Sequence, residues 1–105
     1  MSAALDVKHG ETGHRGSFYI EGDGERVAEQ TYSMLPGGKT VIIDHTEVAE
    51  SLRGQDIARR LTLVAVEWAR GSGVKIIPLC PFAKAVFDRD RAIGDVLQST
   101  VSSST

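Results

Sequence analysis

The chain has 105 residues, a length that suits one domain around one core. Its formal charge is −2 with 25% charged residues, which gives nucleic acid or an anionic membrane no electrostatic footing as the main partner. The single cysteine, Cys80, excludes an internal disulfide and makes a reducing cytoplasm the expected compartment. No apolar run approaches the roughly 20 residues of a membrane span. The start, Met1-Ser2-Ala3-Ala4-Leu5-Asp6, lacks the basic and long apolar regions of a secretory signal.

His9 and His14 fall in a polar, glycine-rich lead-in and are expected at the surface. Ser17 to Glu21 reads as a short strand, and Gly22-Asp23-Gly24-Glu25 as a tight turn, since Asp-Gly tolerates positive φ. Arg26 to Met34 alternates, with Ala28, Tyr32 and Met34 on one face and Glu29, Thr31 and Ser33 on the other. Leu35-Pro36-Gly37-Gly38 is a turn. Lys39 to Thr46 is a third strand, and its Val41-Ile42-Ile43 run marks a strand covered on both faces. These strands read as an antiparallel meander.

The spacing predicts a helix over 56–69, with Ile57, Leu61, Val64, Ala65 and Trp68 on its apolar side. Gly71-Ser72-Gly73 ends it. Val74 to Ile77 is a fourth strand, and Pro78 and Pro81 disrupt ladder pairing around Cys80. Phe82 to Asp88 is a short helix, and Ile93 to Leu97 adds a further turn. The Ser/Thr-rich stretch 99–105 is expected to be a disordered tail to a domain spanning 1–98.

Strand three, helix and strand four form a right-handed crossover whose strands run parallel. Ligands of such units bind outside the carboxyl ends of the strands. His45, the turn Arg53-Gly54-Gln55-Asp56 and Cys80 all fall at that end. The turn opens a helix, so its backbone N–H groups and the helix dipole suit an anion such as phosphate. Cys80 reads either as a reactive thiol or as a small buried hydrophobe. His45 reads either as a general base or as a strand-end histidine satisfied by a carbonyl, and alternation places it on the inner face with Val41 and Ile43. Glu47 is a second candidate base or a surface residue, and Arg53, Arg59 and Arg60 are phosphate contacts or solvated side chains. The three histidines show no metal-ligand spacing, and no metal is expected.

His45-Thr46-Glu47-Val48, Leu52-Arg53-Gly54-Gln55 with Ile57 and Ala58, and Ile77-Pro78-Leu79-Cys80-Pro81-Phe82 together resemble the GNAT superfamily of acyl-CoA N-acyltransferases, in its small single-domain branch. The resemblance covers roughly residues 8–97. It implies acetyl-CoA as co-substrate, its pyrophosphate on backbone amides of Arg53, Gly54, Gln55, Asp56, Ile57 and Ala58, and its pantetheine arm between splayed parallel strands, paired with backbone near Val48. It also implies His45 and Cys80 as the active-site pair. Two positions depart from the family pattern. Asp56 stands where glycine is usual, and there it either caps the helix or carries strain if the turn needs positive φ. Asp90-Arg91-Ala92-Ile93 stands where His-Pro-Glu-Tyr is common.

The expected fold is therefore α/β, or α+β. It has a mixed, mostly antiparallel sheet of four or five strands, one long helix and a short C-terminal helix. The expected function is acetyl transfer from acetyl-CoA to a primary amine of a small molecule or a protein lysine. The alternative is a CoA-binding module or sensor without efficient turnover.

Overall fold

The structure, a computed structural model, describes residues 6–22, 24–54 and 56–97. Asp23 of the predicted Asp-Gly turn, Gln55 and the Ser/Thr tail lie outside the described residues. Five strands lie side by side in chain order: β1 (Lys8–Thr12), β2 (Arg15–Gly22), β3 (Glu25–Met34), β4 (Thr40–Val48) and β5 (Lys75–Pro78). The first four form an antiparallel meander, and β5 runs parallel to β4. Helix α1 (Ile57–Ser72) makes the crossover and α2 (Pro81–Arg89) follows β5, with 3-10 turns at Glu50–Leu52 and Arg91–Val96. Among the described residues no helix is long and apolar enough to cross a membrane.

Period-two alternation in β2 and β3 sends Phe18, Ile20, Ala28 and Tyr32 into the core against α1. Of the predicted helical stripe, Ile57, Leu61 and Ala65 are buried while Val64 and Trp68 are half-buried. Thr62, Val66 and Ala69 are buried as well, because α1 is packed by α2 and the C-terminal turn in addition to the sheet. Gly73, at φ 71°, ends the helix by donating its N–H to the Ala69 carbonyl.

The expectation of surface histidines holds at both positions, although His9 also rests one ring face on the core. Lys8-His9-Gly10-Glu11-Thr12 has no apolar alternation, yet it forms edge strand β1, since pairing with β2 requires only backbone groups. His9 stacks on Phe18 with ring centroids 4.3 Å apart and meets the edge of Trp68. His14 is exposed, as expected.

One irregularity decides how the site is laid out. Tyr32 pairs with Ile43 but Thr31 pairs with His45, so Asp44 is an extra, bulged residue in β4. A bulge shifts the alternation by one residue. Val41, Ile43 and Thr46 therefore face inward, and the His45 side chain points outward with 61% exposure. The inward orientation expected for His45 is thus overturned by a single inserted residue. The open face of the sheet carries Tyr19, Glu29, Thr31, Ile42, His45 and Glu47, all at least partly exposed.

β5 accompanies β4 only from Thr40 to Ile43. Leu79 and Cys80 then both donate their N–H groups to the Ile43 carbonyl, at 3.2 and 3.1 Å, and Pro81 takes the first position of α2. Residues 44–48 of β4 are left with β3 alone as a strand partner, and the sheet opens into a wedge.

Candidate active site

The wedge is a cleft of about 710 Å³. β4 lines it with Thr46, Glu47 and Val48, the following turn with Arg53, Gly54 and Asp56, and α1 with Ile57 and Ala58. Phe82 of α2, one of two large apolar side chains exposed among the described residues, closes one side. The residues proposed from sequence for cofactor binding thus share one wall, apart from Gln55, which lies outside the described residues.

The turn owes its shape to two left-handed positions, Gly54 at φ 89° and Asp56 at φ 58°. Glycine reaches that region freely, whereas an aspartate meets a steric cost there. The same conformation explains why Asp56 does not cap α1. A capping side chain needs an extended backbone to fold back onto the first helical N–H groups, and the Asp56 carboxylate makes no such bond. The first helical bond runs from the Arg60 N–H to the Asp56 carbonyl at 3.0 Å. The N–H groups of Ile57, Ala58 and Arg59 therefore stand outside the helical ladder at the positive end of the dipole. The Arg53 N–H is occupied by the Glu50 carbonyl at 3.2 Å, and its Nε donates to the Val48 carbonyl at 3.3 Å. Arg59 is paired with Asp90 at 3.5 Å, and Asp90 also accepts from the Ala92 N–H, so the departing C-terminal segment has a structural role of its own.

Cys80 sits at the head of α2 and is 3% exposed. Its Sγ donates to Thr46 Oγ1 at 3.2 Å. Thr46 also accepts from Nε2 of Gln30 at 3.1 Å, and the same Nε2 donates to Thr62 Oγ1 at 2.9 Å. The Thr62 hydroxyl gives its proton to the Ala58 carbonyl at 2.9 Å, so it faces Gln30 with lone pairs, and this fixes the amide with its nitrogen toward both threonines. Gln30 is completely buried and its Oε1 has no partner. Sequence reasoning missed this network. Its one signal was a polar residue at an inward position of β3, between Ala28 and Tyr32.

His45 and Cys80 are not brought into contact among the described residues. His45 lies on the open face, its Nε2 3.9 Å from Glu47 Oε1, while the thiol belongs to the helix-covered side. Neighbouring residues of one strand point to opposite faces, so Thr46 reaches Cys80 and His45 does not.

The family profile described as GCN5-related N-acetyl-transferase matches residues 17–96. A GCN5-like protein from Staphylococcus aureus, solved by NMR, is 32% identical over 92% of this chain and 91% of that one, with a TM-score of 0.68. Aminoglycoside N-acetyltransferase AAC(6')-Iy, solved in complex with CoA, shares the fold at 16% identity over 90% of this chain and 92% of that one, with a TM-score of 0.56. Ribosomal-protein-alanine N-acetyltransferase from Brucella melitensis does so at 21% identity over 85% and 65%, with a TM-score of 0.58. No curated protein sequence matches the chain. With the match spanning most of the chain and the sheet splayed beside a helix-opening turn, the protein belongs to the GCN5-related N-acetyltransferase family.

Proposed function

We propose that this protein transfers the acetyl group of acetyl-CoA to a primary amine. The observation that carries the reading is the cleft where β5 leaves β4, floored by the N-terminus of α1. A diphosphate fits the outward N–H groups of Ile57, Ala58 and Arg59, and Arg53, on the cleft wall, adds positive charge. The pantetheine arm fits the edge of β4 near Val48, where Arg53 now holds the carbonyl and would swing away on binding. The CoA complex of the aminoglycoside enzyme supports the same use of this fold.

In the direct reaction the amine nitrogen attacks the thioester carbonyl, the C–N bond forms, the C–S bond breaks and CoA leaves as its thiol. Holding the two reactants in line supplies much of the acceleration. His45, exposed on the open face beside Glu47, is our candidate to take the amine proton. In the covalent variant Cys80 would accept the acetyl group first, but Thr46 lines the cleft and Cys80 does not, which favours the direct route. A reducing cytoplasm suits the lone thiol. A second reading, a CoA-binding module without turnover, is favoured by one observation: Asp56 lines the cleft, and a negative charge at that position opposes a diphosphate.

Calorimetric titration of acetyl-CoA into the wild type and Asp56→Gly, together with release of free CoA in the presence of lysine, spermidine and simple alkylamines, tests both readings. Amine-dependent release supports the enzyme, and binding without release supports the module. Asp56→Gly is expected to bind several-fold more tightly, since it removes both a like charge and a left-handed strain. Absence of binding by either protein defeats both readings.

A further inference from the structure

The geometry points to Thr46 as the group that hands a proton to the departing CoA sulfur, with Cys80 as the acid that resupplies it. The inference rests on the acetyl-transfer reading above. A hydroxyl offers one proton and two lone pairs. Both lone pairs of Thr46 are engaged, one by Gln30 Nε2 at 3.1 Å and one by Cys80 Sγ at 3.2 Å. Its own proton must go elsewhere. The amide oxygen of the network, Gln30 Oε1, receives nothing, and the amide cannot turn over to meet Thr46, because Thr62 holds its nitrogen in place. Thr46 also lines the cleft. Its O–H is therefore the one donor of this buried network that is left to point at a bound thioester.

The step balances. As the tetrahedral adduct collapses, the C–S bond breaks and the sulfur takes the Thr46 hydroxyl proton, while the Cys80 S–H proton passes to Thr46 Oγ1. Cys80 is left as a thiolate and regains its proton through Thr46 once CoA has left the cleft to solvent, which has received the proton shed by the amine. A leaving thiolate needs an acid at this moment, and neither described tyrosine, Tyr19 or Tyr32, lines the cleft. In this scheme Cys80 acts through Thr46 and forms no bond to carbon. The roles of the two residues rejected above as a contacting pair are thereby separated: His45 serves the incoming amine on the open face, and Cys80 the outgoing sulfur on the covered one.

The test uses acetyl-CoA with hydroxylamine as a small acceptor, free CoA as the readout, and calorimetry for acetyl-CoA binding. Thr46→Val should lower kcat by about a hundredfold with KM for acetyl-CoA little changed. Thr46→Ser, which keeps the hydroxyl and guards against a folding defect, should restore most of kcat. Cys80→Ala should fall as Thr46→Val does, and the double variant no further, because the two act as one unit. The solvent deuterium isotope effect on kcat should collapse in all three deficient variants. A Thr46→Val protein with wild-type kcat, or additive losses in the double variant, would overturn the relay while leaving acetyl transfer standing. So would an acetyl group on Cys80 by intact mass, since the thiol would then be the nucleophile. Absence of acetyl-CoA binding by the wild type would remove the acetyl-transfer reading, and the relay with it.

Discussion

Tyr32 shows how a single side chain ties an unpromising segment to the core. Its ring is buried between Phe18 and Trp68, and its hydroxyl donates to Glu11 at 2.7 Å. Because that proton is committed to Glu11, the 2.6 Å contact with His9 Nε2 is made by an N–H on the histidine. Burial first, and the Glu11 carboxylate second, push the Tyr32 hydroxyl well above its ordinary 10.0. A raised acid keeps its proton in the folded state when the unfolded chain has lost it. The stabilisation is therefore complete below pH 10 and declines as pH rises through the alkaline range. Thermal melts between pH 8 and pH 11.5 should show an alkaline slope of at most about 1.4 kcal/mol per pH unit that Tyr32→Phe lacks. An identical slope in the variant would assign the loss to other groups.

At the scale of elements, what the sequence disclosed depended on periodicity. β2, β3, β4 and α1 carry clear periods of two and 3.6, and their positions, order and pairing were readable from residues such as Phe18, Tyr32, Val41 and Leu61. The helix-opening turn was readable from Gly54, but the sequence left Asp56 open between a helix cap and a strained left-handed residue, and only its φ of 58° decides for the second. β1 was not, because an edge strand of Lys, His, Gly, Glu and Thr is held by backbone pairing and by one aromatic stack, neither of which leaves a pattern. The bulge at Asp44 was not readable either, since an inserted residue looks like any other until the partner register is known, and it reversed the orientation of His45. The Gln30–Thr46–Cys80 chain joins three elements far apart in sequence. Element contacts also yield a prediction at the other end of the molecule. Arg70 of α1 grips Asp95 with two bonds, at 2.9 and 2.7 Å, and the Arg70 guanidinium holds the Asp95 carboxyl below its ordinary 3.8. That contribution is present at neutral pH and is lost as pH falls through the acidic range. The pair is exposed, so Arg70→Ala should barely change global stability. It should loosen the C-terminal 3-10 turn, and hydrogen exchange at the Leu97 amide, which donates to Gly94, should rise several-fold. Unchanged exchange there would mean that the turn is held by Ile93 and Val96 packing alone.

For the molecule as a whole, the cleft lies where β4, the start of α1 and α2 meet, so a ligand in it clamps both helices onto the sheet. Anything that binds only the folded state stabilises it by mass action, by about 2.7 kcal/mol at a hundredfold excess over Kd. Acetyl-CoA should therefore raise the melting temperature by on the order of 10 °C at that excess. Acetate at the same concentration should do nothing, and a shift of equal size with acetate would point to an ionic effect rather than to the cleft.

The extra residue at Asp44 has a wider consequence. By shifting the alternation by one, it places Thr46 on the covered side and His45 on the open one, the reverse of what an unbroken strand would give. On the proposed acetyl-transfer reading, the donor then lies against threonine and the acceptor approaches past imidazole. Substitutions on the acceptor's side, at Glu29, Thr31 or Glu47, can then retune which amine is welcomed while the donor's berth is left undisturbed.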